Sequence, residues 1–308
     1  MSNLLSNIKI CILRIYVFFI DMLPKYSSSQ KYWNKNIVDS PKNGFSSLEK
    51  SLNHLNWRNT QYINSISLMN YQSFNKKVIL EYGCGPGNDL INMNILSEPK
   101  KIFAYDVSTK AINLARKRTE LHNLNINFIL GDETQTKLPL KDNSIDIINS
   151  QGVLHHIENL KYVFKEFRRI LNNKGYIQVM VYNKNSLWFH LHVAYEMKLK
   201  KKLWKNKSLE NIFKKTTDGF RCPVAKCYTS LEFIGLCKEN GFNCSLIGVS
   251  TSLFEMRRIN LIWEALQNKN LNNESRNFLR KIEFASNGEP MFNKQVAGIN
   301  SYYKLTLI

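Results

Sequence analysis

The 308-residue sequence predicts an α/β fold: a mostly parallel sheet with helices on both faces. Three observations predict it. Short apolar runs alternate with stretches of helical periodicity. One run, Val78-Ile79-Leu80-Glu81-Tyr82, passes into the glycine turn Gly83-Cys84-Gly85-Pro86-Gly87, after which 88–96 reads as a helix. The next two runs end on acids, Asp106 and Asp132. Glycines at 83, 85 and 87 leave the turn nearly bare of side chains, so a ligand can lie against its backbone. The helix start beyond it offers N–H groups to a carboxylate or phosphate. Asn88 stands where the dinucleotide form of this turn wants glycine or alanine, which counts against NAD or FAD.

The remaining elements follow in order. Residues 101–105 form a second strand ending at Asp106, 23 residues past Gly83. Ser108 caps a helix whose Ala111, Ala115 and Leu121 share one face. A third strand at 126–130 closes on Gly131-Asp132, and a fourth spans 145–149. Leu160, Val163, Phe164, Phe167, Ile170 and Leu171 have helical spacing. Asn173-Lys174-Gly175 is expected to end that helix, with Gly175 as a left-handed cap, before a fifth strand at 176–182.

The run Leu80-Glu81-Tyr82-Gly83-Cys84-Gly85-Pro86-Gly87 resembles the first motif of class I S-adenosylmethionine (SAM) methyltransferases. Residues 138–146 resemble the turn before the fourth strand of these enzymes. Gly152-Val153-Leu154-His155-His156 is a run common in their small-molecule, type-11-like members. The similarity covers 77–182 in family order. It implies a Rossmann-like, seven-stranded, mostly parallel sheet with SAM as cofactor. Glu81, Gly83, Gly85, Gly87 and the chain around Gln151 would then grip the methionine end. Asp106 would accept the ribose hydroxyls and Asp132 the adenine amino group. His156, or His155 beside it, stands nearest the expected methyl position, either as a general base or as a pocket wall. No Asn/Asp-Pro-Pro-Tyr run follows the fourth strand, which speaks against amino methylation of nucleobases or glutamine.

Around this core at 76–182 lie an N-terminal part, 1–75, and a C-terminal half, 183–308. Such folds need one more helix and an antiparallel strand pair. Thr229 or Ser230 caps a helix at 231–240, leading to strands at 243–249 and 301–308. Insertions at about 185–228 and 251–299 are expected to form a substrate lid. Asp218-Gly219 reads as a turn that either faces the acceptor or docks the insertion. The aromatic stretch 32–62 is placed to cover cofactor and substrate, with Leu48, Leu52, Leu55 and Tyr62 as packing residues.

Residues 8–23 are apolar except for Lys9, Arg14 and Asp21. That is short for a membrane span and is followed by no cleavage site. It suits a helix in a membrane interface or one packed on its own domain, and both stay open. The six cysteines, at 11, 84, 222, 227, 237 and 244, match no familiar ligand spacing, so no metal is expected and reduced cytoplasmic thiols are the simpler reading. A net charge of +19, crowded at 198–207, reads as a solvated lysine-rich helix, or as a surface that would attract nucleic acid, an anionic membrane or a phosphate-bearing substrate. The expected function is methylation of a small, secondary-metabolite or lipid-like molecule on oxygen or nitrogen. The alternatives are an RNA methyltransferase recruited by the lysines and a non-catalytic binding protein.

Overall fold

The computed structural model describes every residue except 1, 25, 27, 42–43 and 133–136, together with all side chains outside 1–7 among those. The sheet is built from β1 (Val78–Tyr82), β2 (Lys101–Asp106), β3 (Asn127–Leu130), β4 (Ile145–Gln151), β5 (Leu171–Tyr182) and β6 (Phe242–Ser250). Short strands β7 (Glu283–Phe284), β8 (Pro290–Phe292) and β9 (Gln295–Val296) form a separate three-stranded sheet. The final strand, β10 (Asn300–Leu307), returns to the main sheet, whose order is β3-β2-β1-β4-β5-β10-β6. β1 to β5 pair in parallel, and β10 is antiparallel to both β5 and β6. The sheet is therefore seven-stranded and mostly parallel, as expected.

Nine helices matter to the site and its surroundings: α1 (Ser2–Met22), α2 (Ser29–Lys35), α3 (Leu48–Thr60), α4 (Ser65–Leu68), α5 (Asn88–Leu96), α6 (Thr109–Leu121), α7 (Leu160–Ile170), α8 (Leu209–Thr217) and α9 (Ser230–Glu239). β1 is buried from Ile79 to Tyr82, and apolar apart from Glu81, because helices cover both of its faces. Leu80 packs with Phe164 and Phe167 on one face, and Ile79 with Leu90 and Ala115 on the other. Local signals fix the helix starts. Ser108 Oγ accepts from Ala111 N–H, and Thr229 with Glu232 forms a reciprocal capping box. Because β1 has β2 on one side and β4 on the other, the connections diverge there and open a crevice beyond the strand ends.

One expected boundary is corrected. α7 ends at Ile170, and the chain is already extended in β5 from Leu171, so Gly175 caps nothing. Glycine is required there by close approach: a Cβ would lie 2.7 Å from Asp146 O and 2.7 Å from Leu171 Cδ1.

The N-terminal part is pinned to the core by Arg118, a fully buried cation at the end of α6. It donates to Ser51 Oγ (2.8 Å), Ser51 O (3.1 Å) and Asn88 Oδ1 (2.6 Å), and its guanidinium lies 3.9 Å from the Phe45 ring centroid. Burial pushes its pKa down to about 10. α3 and the start of α5 are thus held by one side chain. Arg118→Met should lower unfolding free energy in urea by about 2–4 kcal/mol, through lost charge-assisted hydrogen bonds and stranded acceptors. An unchanged midpoint would sink that account.

Between β5 and α9 runs a wide-turned π-helix, Trp188–Lys200, followed by α8. The second insertion packs on this π-helix through Leu271, Phe278 and Leu279. Buried Glu255 ties the two insertions by accepting from Trp188 N–H (2.9 Å) and Ile299 N–H (3.2 Å).

Candidate active site

A cavity of about 570 Å³ fills the crevice at the ends of β1, β2 and β4, within the range typical of small-ligand pockets. Its floor is the turn after β1. Gly83, Gly85 and Gly87 have φ of +87°, +50° and +83°, a region other residues enter at a cost. A Cβ at Gly83 would lie 2.2 Å from Val153 Cγ2, so the turn and the loop after β4 touch only because glycine is there. A Cβ at Gly85 would meet no atom within 4 Å, so this cavity-lining glycine leaves bare space above the turn. The turn's own amides are spent internally. Gly83 and Cys84 N–H donate to Tyr105 O, Gly85 N–H to Asp106 Oδ2, and Gly87 N–H to Cys84 O. A ligand here meets a bare surface more than a set of amide donors.

Asp106 stands at the end of β2 and accepts from Gly85 N–H (2.9 Å) and Ser108 N–H (2.8 Å), and burial raises its pKa. It both holds the turn and keeps lone pairs for hydroxyls. Asp132 lines the same cavity from beyond β3, beside the undescribed 133–136.

Glu81 and Gly87 do not line the cavity, contrary to the contact expected of them. Glu81 is fully buried below the turn, where burial and neighbouring Asp89 raise its pKa well above the carboxylate range. It accepts from Asn149 Nδ2 (2.7 Å), and Asn149 Oδ1 in turn accepts from Gln151 Nε2 (2.8 Å). That relay fixes the Gln151 amide so that Oε1, with no partner in the protein, is the atom left for a ligand. Gly87 serves as the left-handed N-cap of α5.

Arg58 on α3 also lines the cavity and had no sequence signal beyond its place in the covering segment. It pairs with Asp89 Oδ1 (3.3 Å) and Asp39 Oδ2 (3.8 Å), yet its Nε is buried without a hydrogen-bond partner. Its nearby carboxylates raise its pKa further, so it is permanently charged.

The far end of the cavity is made by Trp33, Tyr62, Met180, Tyr182, His156 and Asp218. His156 Nδ1 lies 2.6 Å from Val224 O, and its Nε2 lies 3.1 Å from His155 Nε2. His155 Nδ1 accepts from Tyr182 N–H, and burial keeps this ring neutral. The network therefore assigns His155 Nε2–H as donor to His156 Nε2, and His156 Nδ1–H as donor to Val224 O. The His156 lone pair is thus already engaged, and His155, stacked on Tyr182, does not line the cavity.

Asp218 is the carboxylate at this end, with a side chain 6% exposed and Oδ2 3.6 Å from His156 Nε2. Tyr182 Oη donates to its Oδ1 (2.9 Å), and Tyr32 Oη donates to its backbone carbonyl. Burial raises its pKa, against the Tyr182 hydrogen bond that favours the charged form. The Asp218-Gly219 turn therefore faces the cavity. Tyr62, expected to be packing, is a cavity wall. The lid is also distributed differently from the expectation: among the described residues, 251–299 contribute nothing to the cavity wall, whereas the N-terminal part supplies Trp33, Asp39, Arg58 and Tyr62.

The lysines at 198–207 lie away from the cavity, and several are engaged. Lys200 pairs with Glu264, Lys201 with Glu196, Lys207 with Asp21, and Lys198 Nζ donates to Lys207 O.

A methyltransferase-domain family model matches residues 73–245, more than half of the chain. An uncharacterized protein of Methanocaldococcus jannaschii is 33% identical over 135 residues, covering 43% of this chain and 54% of that protein. A malonyl-acyl-carrier-protein O-methyltransferase of Xylella fastidiosa is 32% identical over 111 residues, covering 36% and 37%. An uncharacterized transposon protein of Streptomyces fradiae is 37% identical over 98 residues, covering 31% and 27%. The chain thus spans about a quarter to about half the length of these curated relatives. Among solved structures, a SAM-dependent methyltransferase of Aquifex aeolicus overlays with a TM-score of 0.46 at 13% identity, over 82% of this chain and 93% of the other.

Proposed function

Because the chain belongs to the SAM-dependent methyltransferase-domain family, we propose that it methylates an oxygen or nitrogen of a small-molecule acceptor held between Tyr62, Tyr182 and Asp218. The observation that carries this reading is a single cavity with two chemically different ends.

One end suits the cofactor. Gln151 Oε1 and Arg58 Nε, both without hydrogen-bond partners in the protein, match the ammonium and carboxylate of an amino-acid moiety. Asp106 matches a ribose and Asp132 an adenine amino group, across a glycine floor that leaves room for the ligand. When bound, the cofactor supplies a methyl group on a sulfonium already activated for in-line displacement. The protein's own work is to hold the acceptor near and aligned and to manage its proton. Asp218 is suited to take that proton, since its carboxylate faces the cavity and the Tyr182 hydroxyl donates to it. His156 orients this end, with its own lone pair held by His155. Apolar Trp33, Ile37, Val38 and Met180 suit an acceptor with a largely apolar body and one ionisable head.

Two measurements test this. Mass spectrometry of a small-molecule extract incubated with methyl-labelled SAM should find a labelled product that needs the protein. Label appearing only in RNA or protein would reject the reading. Separately, Arg58→Met should weaken S-adenosylhomocysteine by roughly 10- to 100-fold, the worth of a charge-assisted hydrogen bond. Binding of 5′-methylthioadenosine, which lacks the carboxylate, should be unaffected. Equal loss for both ligands would assign Arg58 to packing.

A further inference from the structure

Two features stand outside the cavity: the outer face of α1 and the lysine-rich stretch 198–207. α1 is seated on the first insertion by a narrow stripe. Val17 is buried beside Phe213 and Trp204, Arg14 Nε donates to Lys201 O (2.9 Å), and Asp21 accepts from Trp204 Nε1 (2.9 Å) and Lys215 Nζ (2.5 Å). The polar side chains that a surface helix would turn to water are thus partly used for docking. What faces outward is apolar: Ile12, Phe18, Phe19 and Met22 are 61–69% exposed, with Ile8 and Ile15 about half exposed. A contiguous apolar strip of this length on a surface marks an interaction site.

The same contacts bring the lysines alongside. Arg14 touches Lys201 and Asp21 pairs with Lys207, so 198–207 runs beside α1 over about two turns. Its carboxylate partners Glu196, Glu264 and Asp21 are fewer than its six lysines, and Lys202 and Lys205 are exposed. Among the described residues no helix is long and apolar enough to cross a membrane.

We propose that the outer face of α1 lies in the interface of an anionic lipid bilayer, with the 198–207 lysines on the headgroups. Charge complementarity selects this occupant. A second copy on the same strip would bring two lysine-rich flanks side by side, whereas anionic headgroups satisfy the apolar strip and the flanking charge together. The inference stands independently of which acceptor the cavity takes.

Flotation of the full chain with phosphatidylcholine vesicles, with and without phosphatidylserine, tests it. The chain should float with the serine lipid and dissociate at high salt. Ile12→Ser with Phe19→Ser should cost about tenfold or more in vesicle affinity, and Lys202→Glu with Lys205→Glu a similar factor. All four positions are exposed, so the thermal midpoint should hold. A chain that stays soluble with serine-lipid vesicles at low salt overturns the proposal. So does a dimer in ultracentrifugation that the Ile12/Phe19 variant dissociates while vesicle binding is unchanged.

Discussion

Gly83→Ala is expected to lower SAM affinity by roughly 100-fold or more, about 3 kcal/mol, from combined overlap and backbone strain. The added Cβ would lie 2.2 Å and 2.9 Å from the two Val153 methyls, at a φ of +87°. Either the turn rises into the cofactor end of the cavity or the loop after β4 is displaced, carrying Gln151 with it. Calorimetry with S-adenosylhomocysteine measures the loss. Adding Val153→Ala removes both methyl overlaps but leaves Val153's own Cβ position at 3.1 Å and the backbone cost of about 1–2 kcal/mol. Partial recovery, about tenfold, is therefore expected of the double variant. Normal binding by Gly83→Ala alone would mean that this turn is not a wall of the cofactor site.

Asp218→Asn should lower kcat by about 10²- to 10⁴-fold, the usual worth of a positioned base, with cofactor affinity changed only a few-fold. The amide keeps the shape of the carboxylate and cannot take a proton. The pH dependence follows from burial. Asp218 titrates above the ordinary aspartate range, and only its ionised form is a base, so kcat/KM should fall as pH drops through that raised pKa. In Asp218→Asn this acid limb should vanish. If it persists there and disappears in His156→Asn, the base is His156 and the assignment of the engaged lone pair is wrong.

The core was legible because its signals are local. A glycine turn between an apolar run and a helix, acids at strand ends and Ser108 before Ala111 each depend on a few adjacent residues. α5 begins and ends where the periodicity places it, at Asn88 and Leu96. The misreadings share a different cause. Gly175 carries the composition of a helix cap, but its role is set by Asp146 and Leu171, which the sheet brings against it. Glu81 has the spacing of a ligand contact, yet lies a layer deeper and acts through Asn149 on Gln151.

By itself, then, the amino-acid sequence determined the order of strands and helices, the position of the glycine turn and the acids Asp106 and Asp132 that line the cavity. Periodicity, capping and φ preference act over a few residues and need no partner. Only the tertiary structure decided that Arg58, from the covering segment, lines the same cavity as Gln151, and that Asp218 faces that cavity beside His156. It also decided that α1 docks through Arg14 and Asp21 and turns Phe18 and Phe19 outward. These pairings join residues 62 to 187 positions apart in the chain. They exist because burying apolar surface folds distant segments together, and no local pattern encodes which polar atoms then remain without partners.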